Sequence, residues 1–190
     1  MNPLSLEHDP ERPVIGAIQQ GDPHALAELM RRHGPWVRGV ILGVLGRPDE
    51  VDDVAQRVWM QAWREAHRLE APERWRAWLY RIARNAATDA GRRQQRRGKL
   101  LRALFRHERH RGSPMGPAAE APILADERQQ TMLRAISRLP ELYREPFVLR
   151  HLEGWSYAQI GEVMGLPVDT VETRLVRARR LLRQELAGRV

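Results

Sequence analysis

Ser156-Tyr157-Ala158-Gln159-Ile160-Gly161-Glu162-Val163-Met164-Gly165-Leu166-Pro167-Val168-Asp169-Thr170-Val171-Glu172-Thr173-Arg174-Leu175 is the stretch on which the reading turns. Ser156 and Gln159 have the spacing of a capping box, with Ser at the N-cap and Gln at N3. The helix they start turns Ile160 and Val163 inward. Gly165 falls where a helix end needs a left-handed residue. Pro167 then has a fixed φ suited to a new helix start. The second helix is expected from about Val168 to Leu186. Its inward stripe is Val171, Leu175, Ala178 and Leu182, and its outer face carries Glu172, Thr173, Val176, Arg177, Arg180 and Arg183. Two helices around a tight turn, the second one basic, make a helix-turn-helix. Such a second helix can lie in the DNA major groove, with its first residues at base edges and its later arginines near phosphates.

Working outward, Glu127 to Leu139 reads as a helix stopped by Pro140, and Leu142 to Leu152 as one stopped by Gly154. Before them the pattern weakens. Gly112-Ser113-Pro114-Met115-Gly116-Pro117 is loop chemistry, and residues 98–126 read as a flexible linker. Residues 14–97 form a further helical unit. Gly34-Pro35 is expected to separate or kink two helices there. A helix starting near Asp49 buries Val51, Val54, Ala55, Val58 and Ala62. Another, expected from Trp75 to Arg93, buries Leu79, Ile82, Ala83, Ala86 and Ala90. Residues 1–13, with three prolines and several charges, read as a disordered tail. The fold class is therefore all-α: two small helical domains, 14–97 and 127–187, joined by a linker.

The formal net charge of +8 over 190 residues favours a polyanionic partner. With no cysteine, disulfide frameworks, thiolate metal sites and cysteine catalysis are excluded. The polar N-terminus has no apolar h-region, and no apolar run approaches a membrane span, so a cytoplasmic protein is expected. Neither a phosphate loop nor a nucleophile with a positioned base is visible, so no enzyme, cofactor or metal is expected. His107 and His110 lack further clustered ligands.

Two more faces stand out. On the Trp75 helix, Arg81, Asn85, Thr88 and Arg92 lie away from the core, with Arg84 beside them and Trp78 and Tyr80 flanking. Aromatics among cations suit single-stranded nucleic acid, since rings stack on bases while arginines hold phosphates. The same two aromatics would equally serve as core or rim residues. On the Asp49 helix, Asp52, Asp53 and Gln56 share one exposed side, and Trp59 and Trp63 lie four apart on another. Those tryptophans fit either the interior or a protein interface.

Together these residues resemble the sigma-70 superfamily, and specifically its short extracytoplasmic-function (ECF) group. Residues Asp49 to Trp63 are similar to the family's acidic helix D-x-E-D-x-x-Q-x-x-F-x-x-A-W. Trp78-Leu79-Tyr80-Arg81-Ile82-Ala83-Arg84-Asn85 is similar to its W-L-Y-R-I-A-x-N signature. Leu139-Pro140, Arg144-Glu145-Pro146-Phe147 and Gly154 to Gly161 look like the approach to its second DNA-reading domain, and Thr170 to Arg179 resembles the recognition helix. The resemblance implies an RNA polymerase sigma factor. Residues 14–97 would be sigma region 2 and residues 127–187 sigma region 4. Asp49, Asp52, Asp53 and Gln56 would bind core polymerase at the β′ clamp, and region 4 would meet the β flap. Trp78, Tyr80, Arg81, Asn85 and Arg92 would contact −10 DNA, with a flipped base held near Leu69 to Arg76. Thr170, Glu172, Thr173, Val176, Arg177 and Arg180 would contact −35 DNA. An anti-sigma factor is a further partner that the resemblance implies. A self-contained helix-turn-helix regulator would share the recognition helix but has no need of the W-L-Y-R-I-A-R-N helix.

Two departures matter. Glu172 stands where many relatives carry Lys or Arg. A carboxylate there can accept from cytosine N4, or can cap the helix through the Asp169 to Glu172 spacing. The linker is basic, with Arg102, Arg106, His107, Arg109, His110 and Arg111.

Overall fold

The computed structural model describes residues 10–104 and 127–187. Eight α-helices carry them, with no strand among the described residues: α1 (Arg12–Gln19), α2 (Pro23–Leu45), α3 (Val51–Glu65), α4 (Trp75–Leu104), α5 (Glu127–Arg138), α6 (Glu141–His151), α7 (Tyr157–Met164) and α8 (Val168–Ala187). Short 3-10 turns precede α3 and bridge α3 to α4.

The first break falls earlier than Gly34-Pro35. Gly21 takes a φ of 85°, the Asp22 carboxylate accepts from the His24 amide, and Pro23 occupies the first turn of α2. That is an N-cap followed by proline at N1, a stronger start signal than the proline inside the helix is a stop. α2 runs straight through Pro35, which is exposed. Its missing N–H leaves the Arg31 carbonyl without a helical donor on the solvent side, where water can serve it. Residues 12 and 13, read as tail, begin α1. Glu11 just before it is buried and paired with Arg32 and His33.

α1 to α4 enclose Ile15, Leu29, Val37, Val40, Ile41, Val54, Val58, Trp75, Leu79 and Ala83. The α3 stripe is buried as its spacing predicts. On α4, Ala87 takes the interior place expected of Ala86, which is only half-buried. Trp59 is interior and Trp63 half-buried beside it. α4 extends past Arg93 and through Gly98 to Leu104, so residues 98–104, read as linker, are helical. Of the basic linker residues, Arg102 lies on this helix, with its side chain outside the described residues. Arg106, His107, Arg109, His110 and Arg111 lie wholly outside them.

α5 to α8 bury Ile136, Val148, Leu149, Ile160, Val171, Leu175, Ala178 and Leu182. The capping box at Ser156 is closed in both directions, Gln159 N to Ser156 Oγ at 3.2 Å and Ser156 N to Gln159 Oε1 at 2.9 Å. Gly165 ends α7 at φ 66°, a conformation costly for any residue with a Cβ. The helix-turn-helix therefore forms as its sequence predicts.

The two domains meet along α2 and α6, and their apolar interiors join there. The approach is close because α2 presents glycines. A Cβ on Gly43 would sit 3.0 Å from the Glu145 Cα, and one on Gly39 would sit 2.5 Å from a Glu153 carboxylate oxygen. Trp36 and Trp155 meet across the same seam, with ring centroids 5.3 Å apart.

Candidate nucleic-acid interface

Three sets of side chains were expected to act. α3 brings the first together. Asp52, Asp53 and Gln56 are exposed on the side opposite its buried stripe, and Asp49 is exposed in the turn just before it. α3 starts at Val51, so Asp52 and Asp53 occupy its first turn, where the helix dipole favours carboxylates. Asp52 accepts from Arg38 Nε at 2.8 Å, but both side chains are mostly exposed. Such a pair contributes about 0–1 kcal/mol and yields readily to another partner. The outcome is an acidic patch on an otherwise basic protein.

The α4 set divides. Arg81, Asn85 and Arg92 are exposed and Trp78 is half-buried, on one side of the helix. Arg92 lies 3.8 Å from Asp89. Tyr80 does not share that side. It is 2 % exposed, and its hydroxyl donates to Glu145 Oε1 at 2.6 Å. Here the interior alternative for this aromatic prevails. Burial, and then the Glu145 charge, push the Tyr80 hydroxyl well above its ordinary pKa, so it remains a donor. Arg84 turns the same way, its Nε 3.4 Å from Glu145 and its Nη2 3.4 Å from Glu141.

The surroundings of the α4 face are unexpected. Trp78 and Arg81 line a cleft with Arg68 to Ala71 on one side and Glu162, Val163, Met164 and Gly165 on the other. Arg81 and Asn85 line the next cleft with Val163, Met164, Leu166 and Arg174. The α4 face is thus walled on one side by the helix-turn-helix. The loop near Leu69 to Arg76 opens into the same cleft.

On α8, Glu172, Thr173, Val176, Arg177 and Arg180 are exposed and Thr170 is half-buried. Thr173 Oγ1 donates to the Asp169 carbonyl at 2.8 Å, which fixes its rotamer along the helix. α8 begins at Val168, so Asp169 lies inside the first turn and not at the N-cap. Asp169 and Glu172 therefore do not form a capping box, and the Glu172 side chain is exposed. Arg138 and Glu185 pair across α5 and α8 and brace the far end of this helix.

Residues 29–97 match the family model described as Sigma-70 region 2, and residues 129–182 match that described as Sigma-70, region 4. The chain is 30% identical over 180 residues to the ECF RNA polymerase sigma-E factor of Haemophilus influenzae, covering 93% of this chain and 95% of that one. It belongs to the ECF sigma factors. The ECF RNA polymerase sigma-E factor of Escherichia coli is 31% identical over 87% of this chain and 88% of its own. The structure of CnrH in complex with the cytosolic domain of CnrY superimposes with a TM-score of 0.67 at 26% identity, covering 95% of this sigma factor and 99% of that chain. Sigma factors are transcription initiation factors, and the helices of this one carry both family regions in the family's order. Among its described residues no helix is long and apolar enough to cross a membrane.

Two residues that the reading of surfaces passed over are Arg144 and Glu145. They are charged and nearly fully buried, at 8 % and 2 % exposure. Arg144 Nε donates to the Gly43 carbonyl at 2.7 Å and Nη2 to the Val44 carbonyl at 2.6 Å. Its Nη1 donates to the Ser137 and Leu139 carbonyls at 2.9 Å each. One guanidinium thus caps the C-terminal ends of α2 and α5 at once, where carbonyls lack helical donors and the dipole favours a cation. The only sequence signal was two charges opening the apolar run Pro146-Phe147-Val148-Leu149.

Proposed function

We propose that this ECF sigma factor divides its work among the three surfaces just described. The α3 patch of Asp49, Asp52, Asp53 and Gln56 docks on the β′ clamp of core RNA polymerase. The α4 face of Trp78, Arg81, Asn85 and Arg92 engages the separated −10 strand, with Trp78 offering a ring to a base and the arginines holding phosphates. Thr170, Glu172, Thr173 and Val176 on α8 meet base edges of the −35 duplex in the major groove and Arg177 and Arg180 its phosphates, while region 4 meets the β flap. The chain works as a non-enzymatic subunit in the cytoplasm, where polymerase and promoters are.

The observation that carries this reading is the pairing, within one helical bundle, of an exposed acidic helix with a polar, aromatic-flanked helix. A stand-alone DNA-binding regulator has no use for that pair. Control by an anti-sigma factor is part of the same proposal. It is supported by the similarity to CnrH, solved with the cytosolic domain of CnrY.

The test separates the surfaces. Asp53→Arg should abolish binding to purified core polymerase in a fluorescence titration and leave the helical circular dichroism unchanged. Asn85→Ala should lower permanganate reactivity of the −10 region more than it lowers closed-complex formation. Unchanged core binding and unchanged opening in these two variants would overturn the assignment of region 2.

A further inference from the structure

The promoter geometry and the observed arrangement are incompatible. The −10 and −35 elements lie about 25 base pairs apart by their names, roughly 85 Å of duplex at about 3.4 Å per step. α8 is about 30 Å long at about 1.5 Å per residue, and it adjoins α7, which walls the α4 face. Neither surface can reach its element while the other is engaged. The two domains must part before both are used.

What holds them is specific. At the centre of the seam, Arg144 satisfies four carbonyls, two in each domain. Glu145 accepts from Tyr80 and lies beside Arg84, both on α4. Gly43 and Gly46 leave room for these two residues. Added Cβ atoms would lie 3.0 Å from the Glu145 Cα and 2.3 Å from Arg144 Nη1. The α3 patch, by contrast, stays in solvent throughout. We propose that Arg144 and Glu145 form an intramolecular clasp that holds the free sigma factor closed, with the Trp78, Arg81 and Asn85 part of the α4 face partly covered by α7. Core polymerase can then dock on α3 first, and promoter opening follows only when the clasp is released. The covering of a −10-reading face rests on the assignment proposed above, whereas the clasp itself does not.

The absence of cysteine allows a direct test on the full chain. A Cβ on Gly39 would lie 3.0 Å from the Glu153 Cγ, so a sulfur in that place is within reach of a disulfide and both clasp residues are kept. The Gly39→Cys/Glu153→Cys variant is oxidised as free protein. It is then assayed by run-off transcription with purified core polymerase over genomic fragments, with and without reductant, beside each single-cysteine control. The disulfide should form, cut transcription at least tenfold, and release it again on reduction. Failure of the disulfide to form, or full activity of the oxidised protein, would overturn the clasp.

Gly43→Leu pushes the other way by forcing α6 off α2. Its free chain should bind a fluorescent single-stranded oligonucleotide of mixed sequence about tenfold more tightly, because apparent affinity scales with the competent fraction. A lock that blocks transcription without any gain in Gly43→Leu would uphold the clasp and overturn the α4 assignment.

Discussion

Tyr80→Phe removes one atom from the seam and nothing else. The ring is buried and would keep its packing, while Glu145 would lose a hydrogen bond of 2.6 Å. A hydrogen bond to a charged group contributes about 1.5–3 kcal/mol. Burial already pushes the Glu145 carboxyl above its ordinary range, so on losing its donor it can take up a proton, which places the cost near the lower end. About 1.5 kcal/mol, at about 1.4 per factor of ten, moves the open-to-closed ratio by roughly tenfold. Spin labels on Arg64→Cys in α3 and Gln184→Cys in α8, both exposed sites, would report it as a longer-distance population in pulsed dipolar spectra. Single-stranded DNA binding should rise in parallel, since Phe keeps whatever stacking the ring offers. The reasoning fails if the distance distribution of Tyr80→Phe matches the parent. It fails equally if DNA binding falls, for the hydroxyl would then serve DNA and not Glu145.

Glu145→Gln should keep the chain closed at least as well as the parent. The amide oxygen still accepts from Tyr80 and the buried carboxylate charge is gone, while the forfeited pairing with the partly exposed Arg84 is worth little. The carboxyl of Glu145 faces Tyr80, Arg84 and Glu141, and burial raises its pKa in the closed state. Closed chains therefore bind the extra proton. Their share should fall as pH rises from the free-carboxyl range of about 4.3 through the raised value, and the same label pair in Glu145→Gln should show a weaker dependence, the remainder coming from Glu153, whose carboxyl burial at the seam also raises. Arg177→Ala should weaken binding to −35 duplexes of every sequence and reduce the salt slope by about one, read by titration at several salt concentrations. Trp75→Ala, at a fully buried ring, should cost about 3–5 kcal/mol in urea unfolding; a loss below about 1 kcal/mol would contradict its place in the interior.

Residues that act on near neighbours were legible in the sequence. The Ser156 box, the Gly165 turn and the stripes of α3 and α8 are written in spacings of three and four, and the helices follow them. Pro35 misled because a proline is read as a break whatever faces it, whereas this one faces water. The Asp22-Pro23 start carried the stronger signal. Tyr80 sits among arginines in the chain but meets a carboxylate 65 residues away, and Arg144 reaches a carbonyl 101 residues back. No periodicity within a segment records such meetings. Besides the two charges before Pro146, the local trace is Gly39 and Gly43 on α2 with Gly46 at its C-cap, a row that reads as loose packing until α6 is laid against it.

Arg144 binds the end of α2 by its main chain, not by any side chain. Its acceptors are therefore present whatever residues α2 carries, and only a shift of backbone takes them away. As such sequences diverge, region 2 can exchange almost every surface residue without disturbing this contact. The lineage would show no paired changes to betray it. Its history would be recorded only in small residues that fail to grow.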